Sequence, residues 1–101
     1  MITREDLDPG YQAVQSVHAG IQFAMEHPDI HKEWYEQSNY LGLLSTSNEL
    51  ELNKLIEKAN DFGIPCSVFR EPDIDNQITA IAIGPGPKSK KLCSNLKLAL
   101  R

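Results

Sequence analysis

A chain of 101 residues carrying 41% apolar and 24% charged side chains supports one compact core and not two, with the balance of an ordinary globular domain rather than a disordered, collagenous or coiled-coil chain. Its longest apolar run is a few residues, far short of the roughly 20 that a membrane-spanning helix needs. Its opening Met1-Ile-Thr-Arg-Glu-Asp-Leu7 also lacks the basic-then-apolar order of a secretory signal, so one cytoplasmic domain over residues 1–101 is expected. A net charge of −4 argues against a general nucleic-acid binder, because Lys and Arg contacts to phosphate dominate such affinity.

The chain opens on a short strand, Met1 to Thr3, that Asp6-Leu-Asp-Pro-Gly10 interrupts. Asp8 before Pro9 is a helix start: a side-chain oxygen for free N–H groups, then a residue with no N–H to waste. The helix is expected to run from Pro9 to Glu26 or His27 and to stop before Pro28. Turning 100° per residue gathers Val14, Val17, Ile21, Ala24 and Met25 on one face, predicted to pack on a sheet. Tyr11, Gln15, His18 and Gln22 form a second row at spacings of four, three and four residues. All four can hydrogen-bond, at the border between core and solvent where a catalytic or recognition row would have to lie.

Residues 27–39 suggest a turn and a short helix over 32–37, with Trp34 and Tyr35 as packing residues. Tyr40 to Ser45 reads as a buried strand. A second long helix follows, capped by Thr46 or Ser47, with an apolar repeat through Leu52, Leu55, Ile56, Ala59 and Phe62 that Gly63 and Pro65 end. Cys66 to Arg70 and Gln77 to Ile83 are two further strands around an acidic turn, the second rich in β-branched and small residues and so expected at the centre of the sheet. Cys66 and Cys93 are too few for a zinc site and, without a secretory signal, make a weak case for a disulfide. Both read as small apolar packing residues, and neither a metal nor a cofactor is expected. Gly84-Pro-Gly-Pro87 stops the strand, and a last helix is expected over 89–96. Residues 86–101 hold Lys88, Lys90, Lys91, Lys97 and Arg101 with no acid, so this segment carries +5 and the remainder −9. Such a segment either meets phosphates or is a solvated face. The order of elements predicts an α/β layer fold with a mixed sheet.

Three segments, Arg4-Glu-Asp-Leu7, Gln15-Ser-Val-His-Ala19 and Thr79-Ala-Ile-Ala-Ile-Gly-Pro-Gly-Pro87, stand in the order and approximate spacing of the type 2 peptidyl-tRNA hydrolases, and the chain resembles that family over nearly its whole length. The resemblance implies a three-layer α/β/α fold with a four-stranded mixed sheet, a homodimer, and cleavage of the ester that joins a stalled peptide to tRNA. Two parts of the family pattern differ. Gly10-Tyr11 stands where the family has Gly-Lys, and Arg70-Glu-Pro-Asp-Ile-Asp-Asn76 replaces an Asp-x-Gly-x-Thr loop, leaving Glu71 or Asp73 as the rough counterpart of the family Asp.

His18 is then the first candidate for proton transfer, since imidazole exchanges protons near neutral pH; a helix-edge histidine bonded to a carbonyl is the structural alternative. Gln15 can position a water or the ester carbonyl, or simply face solvent. Tyr11 can donate to developing negative charge, or pack. Glu71 can orient His18 or act as base, whereas Asp73 and Asp75 read as loop acids. Thr79 offers a hydroxyl but is also a routine strand residue. Lys88, Lys90, Lys91 and Lys97 are the candidate tRNA contacts. A non-catalytic binding protein on the same fold is the competing reading, favoured by the missing lysine and the acidic body.

Overall fold

The computed structural model describes residues 1–101. Its elements run β1 (Ile2–Arg4), α1 (Pro9–Glu26), α2 (Pro28–Glu36), β2 (Leu44–Thr46), α3 (Glu49–Asp61), β3 (Cys66–Glu71), a 3₁₀ turn (Pro72–Ile74), β4 (Gln77–Ile83), α4 (Pro87–Leu92) and β5 (Lys97–Leu98). The sheet order is β3-β4-β1-β2-β5. β1 and β2 run parallel; β4 is antiparallel to β1 and β3, and β5 to β2. The mixed sheet is as expected, but it has five strands rather than four. The additional strand lies in the tail, where two residues with alternating side chains give too short a period to be read as a strand.

Several local expectations shift in the same way. Pro28 starts α2 instead of merely ending α1, and the two helices meet at His27. The strand expected over residues 40–45 narrows to Leu44–Thr46. Asn48, not Thr46 or Ser47, caps α3 by accepting from Glu51 N at 3.0 Å, and Gly63 at φ 68° turns the chain out of the helix in the left-handed conformation that favours glycine. Asp8 precedes α1 as expected, yet its carboxylate makes no capping bond. α4 begins two residues earlier than expected and ends at Leu92.

The core divides into two clusters. Ile2, Ile78 and Ile81 pack with Leu52 and Leu55 of α3. Ala80 and Ala82 pack with Ala19 and Phe23 of α1. Small residues on β4 let α1 approach the strand closely, and it is with β3 and β4 that α1 makes most of its contacts.

The predicted core stripe of α1 is wrong. Val14, Val17, Ile21 and Met25 are 54%, 58%, 56% and 79% exposed, and the buried face is Gln12, Gln15, Ser16, Ala19 and Phe23. The helix is rotated because its polar residues find partners underneath: Gln12 Nε2 donates to Leu7 O at 2.6 Å, Ser16 Oγ to Gln12 O at 2.7 Å, and Gln15 is bonded at both ends. Buried polar groups are tolerated on such terms.

Candidate active site

A shift in strand register builds the site. Phe69 of β3 pairs with Ala80, but Arg70 pairs with Ile78, so Thr79 is the additional residue of β4. Such a bulge changes which way the following side chains point. Ile78 then joins the α3-side cluster, and the Thr79 hydroxyl turns to α1, donating to Gln15 Oε1 at 2.5 Å. Thr79 is fully buried and Gln15 is 1% exposed. The backbone of Thr79 is held from its other neighbour, Thr3 Oγ1 donating to Thr79 O at 3.0 Å.

With its oxygen committed to Thr79, the Gln15 amide presents Nε2 to Glu71 Oε1 at 3.3 Å. Tyr11 Oη donates to the same carboxylate oxygen at 3.3 Å. Glu71 therefore has two donors on Oε1, while Oε2 makes no hydrogen bond within the protein, and the side chain is only half-buried. Partial burial, then the neighbouring Glu71 carboxylate, push the Tyr11 phenol above its usual range, so it stays a donor well into alkaline pH. Both bonds to Oε1 are long for their type, which leaves either donor free to turn to a substrate.

Of the sequence candidates, the structure brings together Tyr11, Gln15, Glu71 and Thr79. His18 is not in this hydrogen-bonded group. Its ring is exposed and lies flat on Phe69, with centroids 4.6 Å apart and planes within 4°. It occupies the next turn of α1 after Gln15, at the rim. Gln22 continues the row by donating to Val68 O at 3.1 Å. Asp73 and Asp75 are exposed in the turn and make no side-chain bond to the cluster. Lys88, Lys90 and Lys91 lie on α4 and Lys97 on β5, away from the elements that carry Glu71. Lys88 Nζ donates to Phe62 O at 3.2 Å, whereas Lys90, Lys91 and Lys97 form no ion pair.

Two supporting residues escaped the sequence reading. Arg4, buried at the end of β1, grips Asp6 through two bonds of 2.9 Å and donates Nη1 to Gln77 Oε1 at 2.9 Å and Ile78 O at 3.1 Å. That hydrogen bond from Arg4 holds the Asp6 carboxyl below the usual carboxylate range. Glu49 Oε2 accepts from Ile78 N at 2.7 Å. Together they pin the entry of β4 beside the bulge. The Arg-x-Asp spacing at a strand exit was a visible signal for the first. Glu49 lies in the first turn of α3, and nothing local marked its reach to β4.

Comparison with known proteins agrees with the motif order. Residues 1–99 match the family described as Peptidyl-tRNA hydrolase PTH2. The chain is similar to proteins named peptidyl-tRNA hydrolase from Thermococcus sibiricus (34% identical, covering 97% of this chain and 93% of that protein), Thermococcus onnurineus (31%, with the same coverage) and Methanococcus vannielii (30%, 97% and 95%). A match over nearly the whole chain, with Gln15, Glu71 and Thr79 assembled in one hydrogen-bonded cluster, places this protein in the type 2 peptidyl-tRNA hydrolase family.

Proposed function

We propose that the protein hydrolyses the ester of peptidyl-tRNA, with Glu71 as general base. The observation that carries this reading is the Glu71 carboxylate, anchored through one oxygen by Tyr11 and Gln15 and left unbonded at the other. Glu71 Oε2 takes a proton from water as the water oxygen bonds to the ester carbonyl carbon. Tyr11 or Gln15 donates to the carbonyl oxygen as it gains charge. Collapse breaks the bond to the ribose oxygen, which receives the proton from Glu71, releasing tRNA and a free peptide carboxyl group. Gln15 and Thr79 act by positioning. His18, at the rim on Phe69, meets the substrate beside the reacting centre.

The family's lysine brings charge, whereas Tyr11 brings a neutral donor to the same carboxylate. That replacement is why the non-catalytic reading is not preferred: the change at position 11 leaves the carboxylate with a partner instead of stranding it. The decisive experiment is single-turnover release of tRNA from purified peptidyl-tRNA. No release at saturating enzyme would defeat the proposal.

Three further features belong to the same reading. Lys90, Lys91 and Lys97, with Lys88 as a tethered fourth, meet tRNA phosphates in the cytoplasm, which makes tRNA affinity fall steeply with added salt. The two core clusters are the two faces of one sheet, giving three layers. The exposed stripe of α1 is the homodimer face. It adjoins a hollow of about 560 Å³ whose walls include Val17, Ile21, Met25, Trp34, Tyr40 and Leu41. Its lining carries no carboxylate, lysine or arginine side chain, so a second copy of the same largely apolar face fits it better than a phosphate backbone does.

A further inference from the structure

At the entry of β4 the sheet ladder gives little support. Its pairing with β1 covers Ala80 and Ile81 and goes no further, and its pairing with β3 slips between Phe69 and Arg70, leaving Thr79 without a partner residue. A bulge disrupts the ladder locally, so groups outside the ladder have to fix its geometry. That geometry matters here, because the Thr79 hydroxyl has to meet Gln15 Oε1.

The groups that fix it are charged and come from α3 and β1. Glu49, the first residue of α3, is half-buried, and its Oε2 accepts from Ile78 N at 2.7 Å. Arg4 Nη1 donates to Ile78 O at 3.1 Å. Both main-chain polar groups of the residue before the bulge are thus held by side chains of opposite charge. Hydrogen bonding to Asp6 and, against the opposing effect of burial, the charges of Asp6 and Glu49 raise the Arg4 guanidinium, so the two ends of this clamp also attract each other. The Ile78 side chain shares a core cluster with Leu52 and Leu55, which ties the same residue to α3 a second time. The helix itself does not need Glu49 in this pose, since Asn48 already caps it by accepting from Glu51 N.

We propose that Glu49 is a positioning residue for hydrolysis, acting on Glu71 through Ile78, Thr79 and Gln15. By holding the Ile78 amide it sets the backbone that carries Thr79. The Thr79 hydroxyl then holds Gln15 Oε1, and Gln15 presents Nε2 to Glu71 Oε1. Glu49 makes no hydrogen bond to Tyr11, Gln15, Thr79 or Glu71 itself. A group that acts only through Thr79 can do no harm that the loss of the Thr79 hydroxyl has not already done. The inference deepens, and rests on, the peptidyl-tRNA reading.

The test is a double-mutant cycle on single-turnover release of tRNA from peptidyl-tRNA, with Glu49→Ala, Thr79→Val and the pair. Glu49→Ala is expected to slow release at saturating enzyme about tenfold, with the apparent affinity for peptidyl-tRNA kept within about twofold of wild type. The pair should be no slower than Thr79→Val alone, and Glu49→Gln, which keeps an acceptor for Ile78 N, should recover most of the rate. Losses that multiply to about a hundredfold, a change confined to affinity, or an unaltered rate in Glu49→Ala would overturn the assignment. Should Glu49→Ala not fold, Glu49→Asp, with its carboxylate drawn back by one methylene, takes its place in the cycle with the same expected outcome. The Gln15 side-chain amide NMR signals of the same proteins separate this role from the hydrolytic reading. Signals that move in Glu49→Ala and return in Glu49→Gln support the tie between Glu49 and Gln15 even where wild type shows no turnover and the hydrolytic reading fails. Signals that stay in place in a variant that hydrolyses normally defeat the positioning role alone.

Discussion

The two faces of α1 reverse the usual pattern of a helix packed on a sheet. Its inner face buries Gln12, Gln15 and Ser16 beside Ala19 and Phe23, while its outer face exposes Val14, Val17, Ile21 and Met25. Burying polar side chains costs free energy unless each finds a partner, and exposing an apolar stripe forgoes burial that any core would gain. A helix that accepts both penalties serves two purposes beyond stability. The inner face orients Gln15 against Thr79 and Glu71; the outer face is the one we propose for a second copy of the chain.

The inner face is tested most severely by Glu71→Gln, which keeps an acceptor for Tyr11 and Gln15 but removes the proposed base. We expect single-turnover release to fall by about 100-fold or more, with stability changed by no more than about 0.5 kcal/mol. His18→Ala, made in parallel, should cost less than Glu71→Gln. The reverse ranking would transfer the base role to the imidazole and undo the contrast between rim and cluster.

The outer face is broken by Ile21→Asp, which places a charge at the middle of the stripe where no partner awaits it. Sedimentation should show the dimer weakened by at least about 100-fold, or about 2.7 kcal/mol, with the folded monomer retained because position 21 is already exposed. A wild-type chain that is monomeric throughout the concentration range would remove the dimer and leave the stripe unexplained.

Thr79→Val is a smaller perturbation of the inner face. It removes the donor to Gln15 Oε1 and leaves that oxygen buried, costing roughly 1–3 kcal/mol of stability. The freed amide also loosens Glu71, for which we expect about a tenfold loss of rate. Thr79→Ser keeps the hydroxyl and should restore the rate, a rescue that a packing defect alone would not produce.

These faces also mark where the sequence was legible. The spans of α1 and α3, the interior strand β4 and the acidic turn followed from breakers and periodicity, because those signals act within a few residues. The side of α1 that meets the sheet did not follow. Hydropathy assigns the apolar stripe to the core, whereas the partners found by the buried amides, Leu7 O for Gln12 and the distant Thr79 for Gln15, go with the opposite face turned inward. Thr79 itself was visible as a candidate, but the bulge that turns it toward Gln15 arises from a pairing register between strands joined by a turn, which no local pattern encodes. Tyr11 and Gln15 were visible as a row at helical spacing and Glu71 was named by resemblance, yet their shared carboxylate oxygen is a tertiary fact.

Away from both faces of α1, Cys66 at the start of β3 provides the smallest effect and a control on the others. Burial, and then the Glu26 carboxylate nearby, push its thiol up to about 11. A raised thiol pKa means that the folded state holds its proton to higher pH than the unfolded chain, whose value is 9.0. The resulting stability is fully present below pH 9.0 and is lost as pH rises through about 11. Alkylation of Cys66 at pH 8 should accordingly be far slower than that of a free thiol, and denaturant melts of Cys66→Ala should lack the part of the alkaline decline that wild type shows over this interval. Rapid modification of Cys66 in the native protein at pH 8 would mean that the end of β3 opens readily. The same strand carries Glu71 and the Phe69 platform under His18, so an opening there would also loosen the frame on which the inner face of α1 depends.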